Sequence, residues 1–256
     1  MHLEPGHLYG LLGRNGAGKT TLLKIMTGLL FPDSGDALMN GQPAYKRTSE
    51  QLQNVYFLQE EIYVPHLKIS QFEEAFAPFY PNFSHEQFVE YLREMEMDNM
   101  LGFIDKFSHG QKKKVMIAFA MATNVPLLIM DEPTNGLDIP TKSIFRKILA
   151  AYADEQKTVL ISTHQVRDLH SLIDAVSIID NGRMILNAPG HVITDKLVFD
   201  INDEKTKVGK VYYTEESPRG IYQVKENLNN TESSLDLELL FNAAVLNKKE
   251  FTEMFK

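Results

Sequence analysis

The residues best suited to chemistry lie in a few short stretches. In "LLGRNGAGKTTLL", Leu11 to Leu23, Gly13 is followed by four residues and then by Gly18, Lys19 and Thr20. This spacing builds a loop whose backbone N–H groups face inward onto a phosphate, with Lys19 reaching the β and γ phosphates and the Thr20 hydroxyl available to a magnesium ion. Glycine at Gly13, Gly16 and Gly18 lets the chain turn tightly where a side chain would block the anion. In "PLLIMDEPTNGLD" an apolar run, Leu127 to Met130, ends in Asp131 and Glu132. Adjacent carboxylates can divide the labour: Asp131 for the metal shell, Glu132 to polarise an attacking water. "TVLISTH" ends in His164, placed to donate a hydrogen bond toward the γ-phosphate, and "NVYFLQE" ends in Gln59, whose amide can touch magnesium or the water.

These groups converge only if the right elements carry them. "HLYGLLG" reads as a short buried strand and "KTTLLKIMTGLL" as a helix, so the phosphate would sit at a helix N-terminus carrying about half a positive charge. Apolar runs ending in a polar residue are expected of parallel strands buried on both faces, whose C-terminal ends line the ligand crevice of α/β sheets. The sequence therefore predicts an α/β fold of the P-loop NTPase type with a mainly parallel sheet.

Composition supports a folded globular chain: of 256 residues, 43% are hydrophobic and 23% charged. The absence of cysteine excludes disulfides and thiolate metal sites. A net charge of -8 argues against general nucleic-acid binding. No apolar run approaches the roughly 20 residues of a membrane span, and the opening "MHLEPGHLYG" lacks the features of a secretion signal.

Taken in order, these stretches resemble the nucleotide-binding subunit of an ATP-binding cassette (ABC) transporter, from about Glu4 to Pro189. "GRNGAGKT" is similar to Walker A, "FLQE" to the Q-loop, "FSHGQKKK" to the signature, "LLIMDE" to Walker B, "NGLD" to the D-loop and "STH" to the switch histidine. The resemblance implies ATP and Mg2+ as cofactors. ATP would be held by Gly13, Arg14, Asn15, Gly16, Ala17, Gly18, Lys19, Thr20 and Thr21, and the metal by Thr20, Gln59 and Asp131; Glu132, His164 and Gln59 would be the catalytic groups. It further implies a head-to-tail dimer with a second cassette, identical or related. Ser108, His109, Gly110 and Gln111 would then form the signature surface facing the partner's nucleotide, with Asp138 at the interface. An integral membrane permease would hold the subunit on the cytoplasmic face of the membrane; no nucleic acid is expected as partner. Ser108 also stands just before a helical pattern, which suits an N-cap aimed at an anion. Lys112, Lys113 and Lys114 read as a solvated lysine face.

Two features depart from the family pattern. The signature has Phe107 and His109 where the family has leucine and glycine, and His109 is expected to tilt outward and leave the clamp working. Only twelve residues precede Gly13, whereas such cassettes begin with further strands and an aromatic residue that stacks on adenine. Tyr9 is not assigned that task, and the N-terminal antiparallel strands are expected to be truncated.

The remaining chain reads as support. The cassette is expected over residues 1–189, with a helical subdomain inserted over about 66–125. In that subdomain Ser70 with Glu73 and Ser84 with Gln87 are possible capping boxes, and Phe88, Tyr91, Leu92 and Met95 form an apolar stripe at helical spacing. Tyr63, Val64 and Pro65 are candidate permease contacts beside Gln59. Two strands joined at Asn181-Gly182 close the cassette. A small α+β extension follows over 190–256, with strands in "KLVFDI" and "KVYYT" and one helix from about Asp236. Its "DLELLF" is similar to the ends of ABC-2 type exporter subunits, which points to export. The competing readings are a soluble ABC ATPase acting on nucleic acid or ribosomes, and a weakly hydrolysing nucleotide-dependent regulator.

Overall fold

The computed structural model describes residues 1–97, 100–166, 169–202, 209–218 and 220–255. The chain divides into two compact units: His2–Leu8 with Thr20–Ser162, and Met1, Tyr9–Lys19 and Thr163–Lys256.

The strands are β1 (Leu8–Leu12), β2 (Leu38–Met39), β3 (Gln42–Pro43), β4 (Val55–Leu58), β5 (Leu127–Asp131), β6 (Thr158–Thr163), β7 (Ala175–Asp180), β8 (Arg183–Pro189), β9 (Leu197–Asn202), β10 (Val211–Ser217) and β11 (Gly220–Glu226). The helices are α1 (Lys19–Met26), α2 (Ser49–Gln53), α3 (Ile69–Phe76), α4 (His85–Glu94), α5 (His109–Ala122), α6 (Ile139–Tyr152), α7 (Gly190–Lys196), α8 (Leu237–Leu246) and α9 (Lys248–Met254).

In the first unit β4 and β6 both pair in parallel with β5, in a register that sets Leu58 opposite Met130 and Asp131 opposite Ser162. The four apolar residues predicted to be buried are the body of β5, and Leu128, Ile129 and Met130 have no accessible surface. Between β4 and β5 lie α3, α4 and α5, where the helical subdomain was expected. Their core is aromatic: the Phe119 ring meets Phe72 and Phe88 edge-on, with Tyr56, Tyr80 and Phe83 around it. The predicted stripe packs there, with Phe88, Leu92 and Met95 buried.

Local chemistry corrects two of the helix starts. Ser70 does not cap a helix, because α3 begins one residue earlier at Ile69; Gln71 Oε1 accepts from the Lys68 N–H instead. Ser84 does cap α4, accepting from the Gln87 N–H at 3.3 Å, but the Gln87 side chain turns away to Asn124 rather than closing the box.

In the second unit β1 runs parallel to β7, and β7 returns antiparallel as β8. Asn181 and Gly182 both have positive φ, as the predicted hairpin turn requires. The C-terminal part holds a three-stranded antiparallel sheet in the order β10-β11-β9. Both predicted strands are there; β11, formed by "GIYQVKE", was missed, because it lacks the sustained apolar–polar alternation of a strand with one wet face. The single final helix is two. Asn247 ends α8, and its side-chain amide donates to the carbonyls of Tyr212 and Ala243, where one helix had been expected to continue.

Candidate functional site

Within the second unit, Lys19 is buried and its Nζ donates to the carbonyls of Gly13 (2.8 Å) and Arg14 (3.4 Å). The loop is thus wrapped around its own ammonium group, while Arg14, Asn15 and Gly16 stay exposed. The β7–β8 hairpin braces it: the Gly182 N–H donates to the Ala17 carbonyl at 2.9 Å. Gly13 lies so close to this hairpin that a Cβ there would stand 2.7 Å from the Ile179 carbonyl oxygen, which explains why the first residue of the motif carries no side chain. His164, the residue that follows β6, is exposed.

Two of the residues expected to hold the metal, Thr20 and Asp131, lie in the first unit, on α1 and β5. Asp131, 1% exposed at the end of β5, accepts hydrogen bonds from two hydroxyls: Thr20 at 2.6 Å on Oδ2 and Ser162 on Oδ1. Thr20 stands in the first turn of α1 and Ser162 opposite Asp131 on β6, so helix start and sheet register together fix the carboxylate. Ser162 was not anticipated; its only signal was a hydroxyl two residues before His164 on a strand aligned with β5.

Glu132 follows with φ of +47°, a left-handed conformation that costs a residue with a side chain about 1–2 kcal/mol. Four hydrogen bonds hold its backbone there. Its N–H is shared between the Ser162 carbonyl (3.1 Å) and Ser162 Oγ (3.2 Å), and its carbonyl accepts from the Asn135 N–H (3.2 Å) and from Lys113 Nζ (2.9 Å).

Lys113 corrects the expectation of a solvated lysine face. Lys112 and Lys114 are half-buried, but Lys113 has no accessible surface. Packing of α5 against the turn after β5 selects this one of the three, because there its ammonium reaches the Glu132 carbonyl. Burial pushes its pKa below the ordinary lysine value, while Glu60, Asp131 and Glu132 oppose that shift.

The signature segment also lies in the first unit. Ser108 caps α5: its Oγ accepts from the Gln111 N–H at 3.2 Å, and Gln111 Oε1 accepts from the Ser108 N–H at 3.0 Å. This reciprocal box leaves the first turn of α5 ordered and at the surface. The His109 ring lies over Gly136, and a Cβ on Gly136 would be only 2.7 Å from Nδ1. The histidine that replaces the family's glycine is accommodated by a glycine across from it. Asp138 caps α6 by accepting from the Thr141 N–H at 2.8 Å, and the Thr141 hydroxyl first, then that N–H, hold its carboxyl below the usual range.

Gln59 is exposed just past β4, at the edge of a cavity of about 600 Å³ lined by Leu52, Val55, Phe57, Phe76, Phe79 and Tyr80. Phe79 is 63% exposed there. Tyr63 projects into solvent, with its hydroxyl on Glu61.

The residues fit the implied ATP and Mg2+. A helix start preceded by glycines in left-handed conformations suits a polyphosphate. A hydroxyl and one carboxylate, all oxygen, suit an ion that takes its other ligands from phosphates and water. Among the described residues no cluster of three or more His, Asp and Glu side chains could hold a metal unaided. No helix among them is long and apolar enough to cross a membrane.

Comparison with known proteins agrees with this geometry. A family model described as "ABC transporter" matches residues 1–135. The chain is 33% identical over 191 residues to the ABC transporter ATP-binding protein NatA of Bacillus subtilis, covering 72% of this chain and 78% of that one. It is 30% identical over 210 residues to the Nod factor export ATP-binding protein I of Burkholderia thailandensis, covering 78% and 68%. Among solved structures, one of an ATP binding subunit of an ABC transporter superposes with a TM-score of 0.67 at 27% identity, covering 74% of this chain and 81% of that one.

Proposed function

Since the chain belongs to the ABC transporter family and is an ATP-binding ATPase subunit of that kind, we propose that it closes head-to-tail with a second cassette around two Mg-ATP and drives export through a separate membrane subunit. The observation that carries this reading is the hydroxyl–carboxylate pair Thr20–Asp131 followed at once by Glu132 in a left-handed backbone conformation. Such a pair is built to share a magnesium ion with phosphates, beside a carboxylate able to turn a water toward them.

In this reading Lys19 and the amides from Gly13 to Thr21 bind and orient the triphosphate, with Arg14 and Asn15 along its side. Thr20 and Asp131, with Gln59 arriving from β4, would hold the Mg2+; bound there, it supplies positive charge to the β and γ oxygens. Glu132 accepts the proton of the attacking water, and His164 donates to the γ-phosphate. Ser108, Gly110 and Gln111 of each chain face the nucleotide of the other, because the capped start of α5 presents N–H groups at the surface. His109 lies aside on Gly136, and Asp138 runs along the same interface.

The groove beside Gln59 is the docking site for a short helix of the membrane subunit. Its apolar lining and its position at the end of β4 couple such a helix to the residue that touches the metal. The net charge of -8 speaks against a nucleic-acid or ribosomal partner, and the presence of Glu132 beside Asp131 against a regulator that barely hydrolyses. Export rests on the similarity to a Nod factor export subunit and on the acidic-apolar "DLELLF" stretch.

The test is Glu132→Gln. Turnover should fall by roughly 10²–10³-fold with ATP binding retained, and the variant with saturating Mg-ATP should sediment as a dimer. Retained turnover would remove Glu132 from its role, and a monomer under those conditions would refute the clamp. Affinity capture from mild detergent should bring down a multispanning membrane protein.

A further inference from the structure

Among the described residues Lys113 is a charged side chain with no accessible surface, and the ATPase reading leaves it without a task. It projects from the first turns of α5, the helix whose N-terminus carries the signature, and its Nζ donates to the backbone carbonyl of Glu132 at 2.9 Å. The Glu132 carbonyl receives one other described hydrogen bond, from the Asn135 N–H three residues further along the same turn. Lys113 is therefore the group that ties Glu132 to a different element of secondary structure on its carbonyl side, as Ser162 does on its N–H side.

We propose that Lys113 is a positioning residue for ATP hydrolysis: it fixes the left-handed backbone of Glu132 and links the aim of that carboxylate to the placement of the signature helix. Three observations converge on this. A buried ammonium is retained where an apolar side chain of similar volume would be the usual occupant. Its described hydrogen bond goes to a main-chain carbonyl, so beside its attraction to nearby carboxylates it acts directly on backbone geometry. The residue it holds has a φ of +47°, a left-handed conformation that a side chain disfavours and its surroundings must impose. A helix that shifts when its capped end meets a nucleotide would carry Lys113, and with it the Glu132 peptide. The inference rests on Glu132 being the residue that polarises water, an assignment that Glu132→Gln tests separately.

The experiment uses the full chain and Mg-ATP. Lys113→Met keeps volume and removes the donor; Lys113→Leu serves in its place if the first variant does not fold. Lys113→Gln keeps an N–H donor on a neutral stem. Val115→Ala, a fully buried position on the same helix, is the packing control. Single-turnover hydrolysis should slow by about 10–100-fold in the apolar variants, the scale of a misplaced catalytic group. The concentration of ATP giving half-maximal rate should stay within about twofold, and Lys113→Gln should be faster than Lys113→Met. Val115→Ala should lower the melting temperature while hydrolysing at the wild-type rate. An apolar variant as fast as wild type, or Lys113→Gln no faster than Lys113→Met, overturns the proposal, as does a Val115→Ala rate that falls in parallel. If Glu132→Gln retains turnover while Lys113→Met is slow, the assignment of Glu132 fails and the lysine acts elsewhere.

Discussion

Replacing Ser162 by alanine isolates one bond of the corner around Asp131. The residue has no accessible surface, and losing a single oxygen opens almost no cavity, so the packing contribution is small. What is lost is the Oγ donor to Asp131 Oδ1 and one of two acceptors for the Glu132 N–H; the Ser162 carbonyl remains to serve that N–H. Asp131 keeps Thr20. Removing one hydrogen bond to a carboxylate, with the partner left buried, amounts to about 1.5–3 kcal/mol. For a chain of this size each kcal/mol moves the melting temperature by roughly 2–4 °C, so Ser162→Ala should melt about 3–12 °C lower. Ser177 provides the internal standard: it too is fully buried on a strand, and its hydroxyl bonds the Asn187 side chain, an uncharged acceptor, at 2.7 Å. Ser177→Ala should cost about 1 kcal/mol, roughly half as much. The assay is thermal unfolding followed by circular dichroism, in the absence and presence of Mg-ATP. With Thr20 turned toward the ion, Ser162 is the hydroxyl left to orient Asp131, so the nucleotide-induced rise in melting temperature should also shrink in Ser162→Ala. A melting temperature within about 1 °C of wild type, or a loss no larger than that of Ser177→Ala, would refute the reasoning.

Two further predictions follow from the same geometry. Gly136→Ala should destabilise the chain by about 1–3 kcal/mol, from a φ of +78° and from collision of the new Cβ with the His109 ring. Part of that loss should vanish in a His109→Gly background, and equal losses in both backgrounds would show that the ring does not rest on Gly136. His85 should titrate above its ordinary 6.5, raised first by its hydrogen bond to Glu73 and then by that carboxylate's charge, against a small opposing effect of burial. A raised folded-state pKa means that the tie between α3 and α4 contributes at acid pH and fades as pH rises through that value. Histidine resonances followed by NMR should show the midpoint falling in Glu73→Gln, and an unchanged midpoint would remove the contact.

Much of the site is legible without a structure because its chemistry depends on spacing along one strand–loop–helix unit. Gly13, Gly18, Lys19 and Thr20 are close in sequence and must be close in space, and the four apolar residues before Asp131 announce a strand buried on both faces. Ser108 with Gln111 and Asp138 with Thr141 are legible for the same reason, since a cap is a bond three residues long. Family resemblance added the order of the motifs and the expectation of a partner.

The tertiary structure decided what depends on residues far apart in the chain. Nothing in "GQKKKV" says which lysine turns inward; that follows from the packing of α5 against the turn after β5, which gives one ammonium a carbonyl to bind and leaves its neighbours in partial contact with water. Nothing local pairs Ser162 with Asp131, because only the parallel register of β5 and β6 sets them opposite each other. Nor could the final segment alone reveal that Asn247 ends one helix to bond the carbonyl of Tyr212, 35 residues away. Sequence patterns carry periods and short-range bonds; they do not carry register between strands or the partner of a buried charge, which exist only once distant segments have packed.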